Sequence, residues 1–460
     1  MNHFVNLLCL FLITLIIVAD VPANERRLNP KVTVEEDVYT FKPADNGSGP
    51  MWCRGNTCIV RIGDRLFASG LETLVNAKPL NNCTPLLFTR GEGGWELLFR
   101  GSDRTREPCP LITFHHGQLF LSHNPTITEP DAYNGPSKPV VLEFDPDSVG
   151  QSPRRHLPVW DGSPAFSEHS YRTFVADGER SEIFLMQNIG YEHAEWSFRD
   201  AQGNWSAQGK LYWPLEKNYH TPQAVRLCYP VVTLKNRKVF FAGVSDMIEP
   251  NPEWREYKRQ LTGQEWDYDF RRLFFTWSDD ITTGTFHDWI EIASREKTCG
   301  WITPWDLYVA PNDDVYLLWN ERSLDERLRE KFFPNEKQRY ALEMVIIRNG
   351  EIIKRQAIVE GGEGLEDRYP GGARFHLAED QQLFVFYHVS GREDGKTYSS
   401  NYITEVYPDG TPGTTCKVEF KIPFTNFFTA TIRAGNKPSN IIDIFGQHEN
   451  IMRYGSVMVY

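Results

Sequence analysis

No Cys-x-x-Cys pair occurs in the 460 residues, which argues against zinc-ribbon chemistry. Positive charge is in deficit. The 49 Lys and Arg against 61 Asp and Glu leave a net charge of −12, which argues against non-specific binding to nucleic acid or anionic lipid. A polyanionic substrate fits that balance only if Arg and His gather in one cleft. Helix signals are sparse, and long hydrophobic runs are missing apart from Phe4 to Ala19. Small residues follow that run at Val21-Pro22-Ala23, so it predicts a secretory signal peptide over 1–23 and a mature chain that is secreted or periplasmic. The first residues carry no Lys or Arg, so an uncleaved anchor is the alternative.

Of eight cysteines, Cys9 falls in the signal, and the odd number left requires a free thiol or an intermolecular bond. Cys53 with Cys58, and Cys83 with Cys109, are expected disulfides in an oxidising compartment. His220 with Cys228, or His287 with Cys299, is weighed as a structural zinc site against simple burial, and a structural calcium is also compatible. Sequons stand at Asn46, Asn82 and Asn204.

What is present is aromatic and turn-rich: 13% Phe, Trp and Tyr, with 34 Gly and 29 Pro, describe a globular chain built of strands. A polar turn followed by a short apolar strand recurs seven times. The copies are GDRLFASG, HGQLFLSH, RSEIFLMQN, NRKVFFAG, NDDVYLLWN, DQQLFVFYH and SNIIDIFGQ, centred on Leu66, Leu119, Phe184, Phe240, Tyr316, Phe384 and Ile444. By subtraction these centres lie 53, 65, 56, 76, 68 and 60 residues apart. Such spacing suits four-stranded blades, so the chain is expected to be all-β, a single seven-bladed β-propeller over 24–460. A β-sandwich or β-helix is the alternative. A short helix is predicted within Ser323–Phe333 and a long loop over Asn251–Arg272.

The segment SEHSYRTFVADGERSEIFLMQNIGYEH, 167–193, reads as a hairpin with an imidazole at each end. With the turn centred on Asp177 to Arg180, His169 falls opposite Asn188 and His193 follows in the next loop, so all three gather at one end of one blade.

Three segments, TRGEGGWELL, SFRDAQGNWS and SDDITTGTFHDW, resemble degenerate Asp-boxes, the Ser-x-Asp-x-Gly-x-x-Trp turns between outer strands of BNR-repeat and sialidase-like propellers. The hairpin block, then RLCYPVVTLKNRKVFF at 226–241 and DLYVAPNDDVYLLWNERS at 306–323, resemble in the same order the BNR-repeat family that contains the ulvan lyases, whose fold is a seven-bladed propeller. The resemblance implies β-elimination on a uronate-containing acidic polysaccharide, ulvan first. It implies His169 or His193 as base or substrate ligand, Tyr229 as proton donor or acceptor, and Arg322 as carboxylate ligand. Asn188 and Arg272 complete the expected binding set.

Elimination needs a base near neutrality and a fixed positive fork on the uronate carboxylate, which His and Arg supply, and it requires no metal or organic cofactor. One departure stands out: the family places an Arg at the end of the strand after Tyr-Pro, where this chain has Val244, Ser245 and Asp246. Arg322 alone, or Arg255, Arg259, Arg271 or Arg272, would then take the carboxylate. The rival readings are a glycoside hydrolase on the same scaffold, rhamnosidase- or sialidase-like, and a non-catalytic glycan-binding propeller. Glu168, Glu192 and Asp246 lie near the proposed site, but no motif pairs them. The expected partner is an acidic polysaccharide, bound by a monomer without nucleic acid or membrane.

Overall fold

The structure, a computed structural model, describes residues 28–459 apart from Cys53, 148–151, Asn218 and His220. The predicted signal peptide, the Cys53–Cys58 pairing and the His220–Cys228 site fall at least partly outside the described residues.

Seven four-stranded antiparallel sheets form a ring, a seven-bladed β-propeller. Blades 1 to 6 span 59–100, 111–156, 173–212, 227–294, 301–362 and 368–418. Blade 7 takes three strands from 427–458 and its outermost strand, Lys31–Thr40, from the start of the described chain. That strand lies antiparallel to Ile451–Met458 and closes the ring with main-chain hydrogen bonds.

Each of the seven recurring segments is the second strand of its blade. Both faces of that strand pack against neighbouring blades, so the run is apolar throughout: Ile183, Phe184, Leu185 and Met186 are all fully buried. Outermost strands see water, as in Gly94–Arg100, where no residue is buried. The three Asp-box-like turns each join a third strand to a fourth.

The short helix predicted within Ser323–Phe333 is present as Glu326–Phe332. Residues 251–272, expected as a loop, contain helix α1, Pro252–Thr262. Asn251 accepts from the amides of Glu253 and Trp254, Pro252 starts the helix, and Gly263 ends it in the left-handed conformation. Helix α2, Glu326–Phe332, is capped by Asp325. The two pack edge-to-face through Trp254 on Phe333 and Tyr257 on Phe332, at 5.5 and 5.6 Å.

The expected Cys83–Cys109 disulfide is corrected: all six described cysteines are free thiols. Cys83 Sγ takes Asn46 Nδ2 at 3.5 Å, while Cys109 Sγ lies 3.8 Å from the Glu107 carbonyl, so the two sulfurs serve different partners. Asn46 and Asn82 are buried and hydrogen-bonded to each other at 3.1 Å, leaving Asn204 as the more accessible sequon. Among the described residues no cluster of three or more His, Cys, Asp or Glu is placed to hold a metal. His287 stacks on Trp277 at 4.0 Å, whereas Cys299 contacts Lys258 and Arg271.

The central axis is filled by side chains. Arg172, Arg374 and Arg433 are at most 2% exposed. Arg433 forms an ion pair with Asp306, and Asp306 also accepts from the Phe375 amide at 2.8 Å. Loop 44–56 crosses one end of the axis and is pinned there. Arg374 donates to the Arg54 carbonyl, Arg433 to the Gly55 carbonyl, and Asn56 bonds the Arg172 carbonyl and the Phe174 amide.

Candidate active site

The connections into each innermost strand, and those between second and third strands, lie on the same face as loop 44–56, and the candidate site is built there. In blade 3 Asp177 pairs with Glu182, so the turn is Gly178 to Ser181, one residue later than the sequence suggested, with Ser181 at φ 60°. The pairing puts Asn188 beside Tyr171 rather than His169, and its amide donates to the Ser170 carbonyl at 2.9 Å. Its side chain donates to the Leu227 carbonyl and ties blade 3 to blade 4.

His169 sits at the mouth with its ring about 30% exposed. Nδ1 is buried and faces Glu107 Oε1 at 3.4 Å, an ion contact, so the exposed edge of the ring carries Nε2. Glu107, from the loop entering blade 2, is fully buried and accepts from the Ser170 amide at 2.7 Å and hydroxyl at 2.5 Å. Burial works to raise its carboxyl, but His169, Arg172 and Ser170 outweigh this and hold it below the usual range. The buried carboxylate thus stands behind the imidazole, on the side away from the mouth.

Beside His169 lie Trp52 at 5.0 Å and Tyr171 at 4.6 Å between centroids, and Tyr229 stands 5.3 Å from Tyr171 and 5.8 Å from Trp52. Tyr171 and Tyr229 both have positive φ, 42° and 47°. Tyr229 lies in the irregularity between the Cys228 and Val231 pairings, so the Tyr-Pro step bulges out of the innermost strand. A bulky residue in that region is strained by about 1–3 kcal/mol, and two adjacent ones mark a place where the surrounding structure imposes geometry.

Two guanidinium groups flank the rings. Arg54 lies 5.0 Å from the Tyr229 ring centre and 5.7 Å from that of Trp305, and has no ion pair among the described residues. Arg226, by contrast, is engaged: its Nη2 meets Asp246 Oδ2 at 2.6 Å and it stacks on Tyr191 at 3.9 Å. Burial raises the Asp246 carboxyl, and its contacts with Arg226 and the Tyr171 hydroxyl only partly offset that. Burial likewise pushes the Tyr171 hydroxyl well up.

The other expected residues are dispersed. Tyr229 joins His169; His193 does not. His193 Nε2 meets Glu195 Oε1 at 3.1 Å and its ring packs on Tyr212 at 5.5 Å, on the third strand of the blade. Arg322 stands 6.0 Å over Trp301, reached from Tyr229 through Phe270 by ring steps of 5.9 and 4.7 Å. Arg272 is held by Glu216 at 2.9 Å and Glu291 at 2.5 Å, and Arg271 is buried among Glu249, Asp269 and Glu296. Arg259 pairs with Glu256, and Glu168 with Arg106. The sequence reading missed Trp52, Arg54 and Glu107, which arrive from other blades; a Trp-x-Arg step in a Gly- and Pro-rich loop was the available signal for the first two.

No family model matches the chain, and no curated protein matches it in sequence. Solved structures of similar shape include an α-L-arabinofuranosidase of Fusarium graminearum, 8% identical over 93% of this chain and 98% of that one, TM-score 0.43. Another is the β-propeller domain of the Trilobed protease from Pyrococcus furiosus, 8% identical over 88% and 94%, TM-score 0.44. A third is an α-L-arabinanase of Penicillium chrysogenum, 11% identical over 76% and 94%, TM-score 0.40. Likeness this distant carries no argument about the site.

Proposed function

We propose that the chain is an enzyme that cleaves glycosidic bonds in the cleft over Trp52, His169, Tyr171 and Tyr229. The observation that carries this reading is the His169 ring, backed by buried Glu107 and opening onto a floor of aromatic rings. Flat rings suit the C–H faces of sugars, and an oriented imidazole is a general base.

Hydrolysis is the first reading. Glu107 is held low and Asp246 is raised, and two carboxyls pushed apart in this way are a natural division into base support and acid. His169 Nε2 takes a proton from water as the water oxygen bonds the anomeric carbon. The Asp246 proton passes through the Tyr171 hydroxyl to the departing glycosidic oxygen.

Elimination is the second reading, favoured by Arg54, which has no ion pair among the described residues, and by the sequence resemblance. There His169 takes the proton beside a uronate carboxylate neutralised by Arg54, and Tyr229 protonates the leaving oxygen. Arg54 would fill the part left open by Val244, Ser245 and Asp246.

The test incubates the protein, and His169→Ala, with arabinan as a neutral polymer and ulvan as a uronate polymer. New reducing ends without far-ultraviolet absorbance growth are expected for hydrolysis, and growth of that absorbance for elimination. Cleavage that survives in His169→Ala would remove His169 from the mechanism, and no cleavage by the unaltered protein of any polymer across a wider panel would overturn the enzyme reading.

A further inference from the structure

Beside the His169 cleft, between the insertions of blades 3 and 4, lies a cavity of about 1000 Å³. That is the upper end of the range for ligand pockets. Its walls include Tyr191, Tyr212, Trp213, Leu215 and Tyr219. Tyr191, Tyr212 and Leu215 are 49, 62 and 59% exposed, an unusual grouping of large apolar side chains left to water.

The rings are held in place from behind. Tyr212 rests on His193, whose Nε2 is fixed by Glu195. Tyr219 donates to Glu296 at 3.1 Å and accepts from Arg272 at 3.3 Å, and Trp213 packs on Trp289 at 6.3 Å. The Arg272 and His193 side chains that the sequence assigned to chemistry therefore brace this wall.

Tyr191 joins the cavity to the cleft. Its ring lies under Arg226, and Arg226 reaches Tyr171, the neighbour of His169. From Tyr229 the rings continue through Phe270 to Trp301, which is 38% exposed.

We propose that this cavity holds further sugar rings of the polymer whose bond lies at His169. The inference rests on the glycan-cleaving reading above. The sugars here are uncharged: Glu192 and Arg255 in the lining carry one charge of each sign, and Glu249 is already paired with Lys258 and Arg271. His193 is then a positioning residue for Tyr212.

The experiment compares kcat/KM on the cleaved polymer and on its trisaccharide for Tyr212→Ala, Leu215→Ala and, as a control on the opposite face, Tyr407→Ala. Loss of the stacked ring at Tyr212, or of the apolar contact at Leu215, predicts that the polymer-to-trisaccharide ratio falls about tenfold in the first two, with no change in the control. An unchanged ratio in both overturns the inference and leaves the enzyme reading intact. His169→Ala is titrated in parallel with arabinan and ulvan, following tryptophan fluorescence, alone and combined with Tyr212→Ala. Binding weakened by Tyr212→Ala, with no cleavage by the unaltered protein, retains the cavity and overturns the enzyme reading. Neither binding nor cleavage overturns both.

Discussion

At Glu107 a carboxylate is buried completely, and that is tolerable only because Ser170 donates twice to it, His169 stands against it and Arg172 supplies positive charge. Glu107→Gln keeps an acceptor for the Ser170 amide but removes the charge behind His169. The expected result is a kcat about 10²- to 10³-fold lower with the fold retained, measured by turnover and by circular dichroism. Activity within twofold of the unaltered protein would mean that His169 is not the base. Asn188 illustrates the opposite outcome: its conspicuous position beside the hairpin serves a structural bond to the Leu227 carbonyl.

Among elements, loop 44–56 matters most because it carries Trp52 and Arg54 over the axis. A Cβ on Gly55 would meet the Pro230 carbonyl oxygen at 1.7 Å, and backbone cannot swing away as a side-chain end can. Pro230 follows Tyr229, so the contact couples the loop to the Tyr-Pro bulge. Gly55→Ala is expected to lift the loop, lower the thermal midpoint, and reduce activity at least tenfold, as a displacement of about 1 Å suffices for large losses. A crystal structure of the variant with the loop unmoved would refute the coupling. Helix α1 makes a milder case: Asn251→Ala removes the cap and is expected to cost about 1 kcal/mol, read from denaturant unfolding, without touching the cleft.

For the whole molecule, pH acts through groups buried between blades. Burial depresses His123 to about 3 and His376 and His388 to about 4. These rings stay neutral in the fold while the unfolded chain binds protons below about 6.5, so their stabilising contribution is present above that pH and is lost on acidification toward 3–4. Asp269 works in the other direction: burial pushes it up to about 8, against the pull of Arg271, in a cluster that also holds Glu249 and Glu296. Its contribution is complete below about 4 and is lost as pH rises through 8. The thermal midpoint is therefore expected to fall on both sides of mildly acidic pH. Asp269→Asn should flatten the decline between pH 5 and 8, and His376→Gln should flatten the acid limb by one proton's share, both measured by calorimetry across the range.

The seven blades were legible in the sequence because each second strand is sandwiched between blades, and a run buried on both faces must be apolar from end to end. The Asp-box-like segments lie between third and fourth strands, as their resemblance to Asp-boxes implied. Helix α1 was equally written there, in Asn251, Pro252 and Gly263, though charge in the segment suggested a loop. His169 and Tyr229 could be picked out because hairpin pairing and the Tyr-Pro step are local. Their partners could not. Glu107, Trp52 and Arg54 lie 62 to 177 residues away by subtraction and meet them only because the ring closes. Tertiary structure also decided which histidine faces the cleft. One hairpin positions both, but His169 stands at the entry to an innermost strand beside the axis, whereas His193 begins a third strand farther out and turns to Glu195 and Tyr212.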